Sequence, residues 1–129
     1  MTVVEVRFTE DHLWARVEED GTVLVGLSDY AQRSLGEIAH IDTPEIGQTV
    51  NAGEDLASIE AESGTVEVNA PVTGTLVEVN ALLEDEPGIV NDSPLDDGWL
   101  CRFEAEDVDL EVLDELMDED AYEEFLSEL

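Results

Sequence analysis

Residues 57–74 read ASIEAESGTVEVNAPVTG, and the fold turns on this stretch. An apolar strand leads into a polar tip, Glu62-Ser63-Gly64. A second strand follows with Val66 and Val68 alternating around Glu67, and Pro71 sits in the closing turn. Ser-Gly between two strand patterns signals a hairpin.

The same texture extends in both directions. Leu13, Ala15 and Val17 alternate with Trp14 and Arg16, Val23, Val25 and Leu27 with Leu24 and Gly26, and Val77 and Val79 with Glu78. Gly-Thr opens three apolar segments, at Gly21-Thr22, Gly64-Thr65 and Gly74-Thr75. Glycine there supplies a turn with positive φ and threonine starts a pleated strand. Short strands cut by turn signals predict a sandwich or barrel. Two places turn helical. Ser28–Leu35 has Ser28 placed as an N-cap and Gly36 just past the end. Near the C-terminus, Leu110, Leu113, Leu116 and Met117 form one helical stripe. Tyr122, Phe125, Leu126 and Leu129 form a second, which is expected to dock on the domain.

Composition sets limits on function. The chain has 129 residues, one domain's worth, and its 43% apolar content suffices for a small core. Thirty-five Asp and Glu stand against four Arg, with no lysine, giving a formal net charge of −31. Such a surface excludes direct nucleic-acid binding and docking on an anionic membrane. There is no run of about 18 apolar residues to span a bilayer, and the N-terminus lacks a signal-peptide pattern. Cys101, the single cysteine, reads as a core thiol. A cytoplasmic protein is expected. The charge fits a saline cell interior that screens self-repulsion, the reading adopted, or else a surface suited to solubility.

Few residues suggest chemistry. Ser63 reads first as a turn former; a phosphopantetheine acceptor would ordinarily open a helix, and a nucleophilic serine would sit in a Gly-x-Ser-x-Gly elbow. His12 and His40 lack metal-ligand spacing and read as ordinary histidines, so no metal is expected. The acidic runs at 18–20, 84–86 and 118–120 read as solvated surface. Trp14 and Trp99 read as core anchors.

The 57–74 hairpin resembles that of lipoyl- or biotinyl-type carrier domains, which present a modified lysine at the tip. The rest of the chain narrows the resemblance to glycine cleavage system H proteins. Residues 25–38, VGLSDYAQRSLGEI, resemble that family's VGITDYAQxxLGDI signature, and Asp11-His12-Leu13-Trp14 its HEW motif. Pro87-Gly88-Ile89-Val90-Asn91, Pro94 and Gly98-Trp99-Leu100 follow its PELVNxDPYGxGWL stretch. Leu113-Asp114-Glu115-Leu116 and Ala121-Tyr122-Glu123 resemble its C-terminal helices.

The resemblance implies a mainly β fold, a barrel-sandwich hybrid with peripheral C-terminal helices. It implies one domain over 1–129, with a barrel core at about 8–103 and helices at about 108–129. Members carry lipoate on one lysine and shuttle an aminomethyl group among the other glycine cleavage proteins; they are carriers, not enzymes. Counting back from Ala70-Pro71, that lysine falls on Ser63, and no lysine exists elsewhere to replace it. Ser63 is therefore expected to be unmodified, with no cofactor on this chain. Leu13 stands where the family has Glu, which would remove a carboxylate suited to a cationic amine, and Leu95-Asp96 replace Tyr-Gly. The expected function is a non-catalytic, carrier-type scaffold, a protein-binding or regulatory paralogue. Its partners would be glycine cleavage proteins or lipoyl-handling enzymes. The alternative is a working aminomethyl carrier whose lipoyl lysine was replaced.

Overall fold

The computed structural model describes residues 6–18, 21–105 and 116–128. Among the described residues, nine strands form two sheets. The larger takes β1 (Arg7–Phe8), β2 (Leu13–Val17), β3 (Val23–Leu27), β5 (Thr49–Val50), β8 (Gly74–Val79) and β9 (Cys101–Glu104), in the order β1-β2-β3-β9-β8-β5. The smaller holds β4 (Ile38–Asp42), β6 (Asp55–Ala61) and β7 (Gly64–Asn69), with β6 central. Every recorded pairing is antiparallel. Helices α1 (Asp29–Leu35), α2 (Leu82–Asp85), α3 (Ile89–Asp92) and α4 (Glu119–Ser127) lie between and beyond the strands.

The alternation read in the sequence sorts the side chains. Leu13, Ala15, Val23, Val25, Leu27, Ile59, Val68, Leu76 and Phe103 belong to one main core, the dominant stabilising term. The other face of β2 and β3 is also covered, because Trp14 and Leu24 join Phe8 and Tyr122 in a second cluster. Strand β3 is thus buried along its whole length. Gly26 stands where a Cβ would lie 2.6 Å from the Trp14 indole nitrogen. Trp14 is completely buried and donates its Nε1–H to the Pro94 carbonyl at 2.8 Å.

Several expectations change here. Trp99 is only half-buried, at the margin of the second cluster, with the Arg102 guanidinium 5.7 Å from its ring centre. Gly21 and Gly64 have positive φ, 87° and 133°, as the Gly-Thr reading requires. Gly74 does not: a Cβ there would come within 2.9 Å of the Glu104 carbonyl oxygen, so close strand approach is what demands glycine. Met117 is not helical but forms an antiparallel bridge with Phe8. Leu110, Leu113 and Leu129 lie outside the described residues. Helix α4 does dock through Tyr122, with Phe125 and Leu126 packed at the edge, and the Tyr122 ring stacks on Phe8 at 4.4 Å.

Two acidic runs have structural duties. Asp118 caps α4 by accepting from Ala121 N at 2.8 Å. Glu18 pairs with Arg16 at 3.2 Å.

Candidate functional site

Strands β6 and β7 pair from Asp55↔Asn69 to Ala61↔Gly64, leaving Glu62 and Ser63 as a two-residue turn. Ser63 is exposed at its point. Gly64, the residue after the turn, has positive φ, a state glycine adopts freely.

The tip does not hang free. Glu62 N donates to Glu37 O at 3.0 Å and Ser63 N to Leu35 O at 3.1 Å. A helix ends with unpaired carbonyls, and the tip supplies a donor to the last residue of α1. Gly36, between the two acceptors, adopts φ 79° and ψ −156°, a region open essentially to glycine alone. A Cβ there would also meet the Glu62 Cβ at 3.2 Å. Both amides that seat the tip are main-chain groups, so the seat is indifferent to which side chains stand at 62 and 63.

The opposite end of α1 is held by side chains as well as by one main-chain bond, Ser28 N to His12 O at 2.9 Å. Ser28, completely buried, caps the helix by accepting from Ala31 N at 3.1 Å. Its hydroxyl also bonds the Tyr122 hydroxyl at 2.7 Å, which in turn lies 2.8 Å from His12 Nδ1. Two proton orders satisfy this chain, running from His12 toward Ser28 or the reverse. His12 has φ 68°, an uncommon backbone state for a residue with a side chain. Burial lowers its pKa and nearby Asp11 partly opposes the shift.

Between α1, the turn before β2 and the exposed edge of β7 lies a groove of about 260 Å³. Leu27, Ala31, Leu35 and Val68 give it an apolar floor, with Glu10, Asp11, Glu67 and Tyr30 among the polar groups lining it. Leu35, whose carbonyl receives the Ser63 amide, also lines this groove. Leu13 does not line it: its side chain is wholly buried in the main core. A carboxylate at position 13 would lose its hydration there, so in this chain Leu13 is a packing residue. Leu95 is 39% exposed. His40 lies on β4 with Asp42 Oδ1 at 2.8 Å, on a different sheet from the strand that His12 precedes. Among the described residues, no cluster of three or more His, Cys, Asp or Glu could hold a metal ion. Cys101 is fully buried and its thiol is pushed up to about 12 by desolvation, which keeps it inert.

Sequence reasoning located the tip and the α1 cap. It missed Tyr122 as the partner of Ser28, and it missed Asn91, whose amide braces the turn under the tip. Neither contact leaves a periodic signal, since the partners are 94 and 55 residues apart.

Two antiparallel sheets around a main core, with a short hairpin presenting a two-residue turn, define a carrier-type domain of the barrel-sandwich class. The chain belongs to the glycine cleavage H-protein family, whose model matches residues 6–129. A probable glycine cleavage system H protein of Thermococcus gammatolerans is 46% identical over 122 residues, covering 95% of this chain and 90% of that protein. Glycine cleavage system H protein 4 of Aquifex aeolicus is 48% identical over 122 residues, 95% of this chain and 70% of the relative. A crystal structure of a glycine cleavage system H protein from Mycobacterium marinum superposes with a TM-score of 0.84 at 29% identity, covering 95% of this chain and 97% of that one. The family consists of lipoate carriers that work with the other glycine cleavage proteins and are not themselves catalysts. No helix among the described residues is long and apolar enough to cross a membrane.

Proposed function

We propose that this chain is a carrier-type scaffold of the H-protein family that takes no lipoate on its hairpin and acts by binding partner proteins. One observation carries the reading: the residue at the exposed point of the hairpin is Ser63, and the sequence has no lysine. An amide to lipoate needs an amine. A hydroxyl is a poor nucleophile without a base beside it, and a carboxylate such as Glu62 is too weak a base to activate an alcohol at neutral pH. The residues at the tip therefore do not fit an amide-linked lipoyl group. We read Ser63 as unmodified and residues 1–129 as one carrier-type domain. A cytoplasmic setting belongs to the same reading and rests on the acid-rich composition and lone core cysteine.

Its partners on this account are the glycine cleavage proteins or the enzymes that handle lipoyl groups. A second reading, a working aminomethyl carrier whose lysine was replaced, is favoured by the intact main-chain seat of the tip. The two separate in one experiment. The chain and its Ser63→Lys variant are incubated with lipoate, ATP and a lipoate ligase and weighed by mass spectrometry. The unmutated chain should gain no mass, and Ser63→Lys should gain one lipoyl group. Binding of each glycine cleavage protein is then measured by calorimetry. Binding by the unmutated chain supports the scaffold; restored aminomethyl transfer in Ser63→Lys, without partner binding by the serine form, supports the replaced carrier. Mass gain by the unmutated chain would overturn both.

A further inference from the structure

The turn on which the hairpin tip sits is itself braced from below. Asn91, the third residue of α3, reaches across to the segment between α1 and β4. Its Oδ1 accepts from Ile38 N at 3.0 Å. Its Nδ2 donates to Gly36 O at 2.8 Å and to Gln32 Oε1 at 3.0 Å. One carboxamide thus uses both its donors and its oxygen on three groups around the segment 35–38, and this segment presents Leu35 O and Glu37 O to the tip amides of Ser63 and Glu62.

We infer that Asn91 is the positioning residue of the carrier hairpin: it fixes the 35–38 turn and, through that turn, where position 63 is presented. Without its side chain, Ile38 N and Gly36 O would lose their partner, and glycine's conformational freedom at 36 would no longer be restrained. The carbonyls of Leu35 and Glu37 would then stop pointing in a single direction. None of its three hydrogen bonds goes to a tip residue, so its influence passes through the 35–38 turn. The tip's seat stands whatever the tip carries, so failure of the lipoate reading leaves it untouched. What the brace secures is registration of position 63 against Leu35, which lines the groove between α1 and β7.

The chemistry of the brace distinguishes its variants. Asp at 91 keeps an acceptor for Ile38 N but brings a carboxylate against two oxygen acceptors, Gly36 O and Gln32 Oε1, which repels the turn. Ala removes all three bonds. Gln32→Ala removes only one of the two acceptors of Nδ2 and should loosen the tip least.

Amide hydrogen exchange at Glu62 and Ser63 reads the seat directly. A nitroxide on Ser63→Cys reads it independently, because Cys101 is buried and stays unlabelled. In Asn91→Ala, the two tip amides should exchange about tenfold faster or more, the worth of a lost hydrogen bond, and the nitroxide spectrum should narrow. Asn91→Asp should behave alike and serves if Ala does not fold; Gln32→Ala should shift both readouts less. Val23→Ala, a cavity in the larger sheet, is the control for general destabilisation and should leave the nitroxide spectrum unchanged. Tip amides and label indistinguishable from the parent in the folded Asn91 variants would overturn the inference. So would equal mobilisation of the tip by Val23→Ala.

Discussion

The two ends of α1 differ in what ties them to distant elements. At the N-terminal end, the buried Ser28 side chain meets the Tyr122 hydroxyl, which in turn bonds His12 Nδ1. At the C-terminal end, the contacts with the hairpin are main chain to main chain, Ser63 N to Leu35 O and Glu62 N to Glu37 O. A side-chain junction depends on the identity of each member. A main-chain junction leaves the two tip side chains free, while the turn beneath it still needs Gly36 and the Asn91 carboxamide. At the tip itself this junction is the tolerant one, so a serine at position 63 fits this seat as another side chain would.

The comparison breaks most readily at Ser28. Ser28→Ala removes the helix cap and leaves the buried Tyr122 hydroxyl short of a partner, and should cost about 2–3 kcal/mol. Urea denaturation measures this directly; a loss below about 0.5 kcal/mol, the ordinary surface range, would show that the N-terminal junction carries no weight. At the other end the sensitive position is the backbone hinge. Gly36→Ala forces a Cβ into a glycine-only conformation against Glu62, at an expected cost of about 1–3 kcal/mol. A neutral result there would mean that the turn relaxes freely and that the seat is not constrained.

Acid sharpens the contrast further. Because burial lowers the His12 pKa, the unfolded imidazole, titrating near its ordinary value of about 6.5, takes up its proton before the folded one does. Between the lowered folded value and that ordinary value, the unfolded state holds more protons, so the His12 contribution to stability falls as pH falls and is fully present above that window. Self-repulsion among the carboxylates changes in the same range, so the quantity to measure is a difference. The stability gap between the parent and His12→Asn, a residue that tolerates positive φ, should narrow as pH drops through this window. A gap independent of pH from 5 to 8 would assign His12 no part in the junction. The smallest effect belongs to the tip. Ser63→Ala should change stability by less than about 0.5 kcal/mol, and a larger loss would show that its hydroxyl does structural work.

How much of this could be read beforehand follows from which forces act locally. The hairpin was legible because alternation and a Ser-Gly turn are short-range, and so was the α1 cap, since an N-cap serine lies three residues from the amide it serves. The resemblance of residues 25–38 and 87–100 to one family added the two-sheet architecture that alternation alone leaves open. Met117 escaped because a helical spacing of apolar residues also fits an extended bridge packed on a cluster. Trp99 was overrated as an anchor because large apolar residues beside Leu100 and Cys101 look alike in sequence, whichever face they take. Leu13 shows the same limit from the other side. Its departure from the family's pattern suggested a change at a working surface, whereas its side chain is in the core. The His12–Tyr122–Ser28 chain and the Asn91 brace were invisible, being polar contacts between residues far apart in sequence whose pairing depends on the finished fold.

The central claim is that the point of the hairpin bears a bare serine. Intact mass of the chain purified from its native cells tests it most directly, since those cells supply whatever modifying enzymes it meets. The predicted result is the mass of the unmodified polypeptide, with the peptide containing Ser63 unaltered after digestion. A lipoyl or phosphopantetheine increment on that peptide would contradict it.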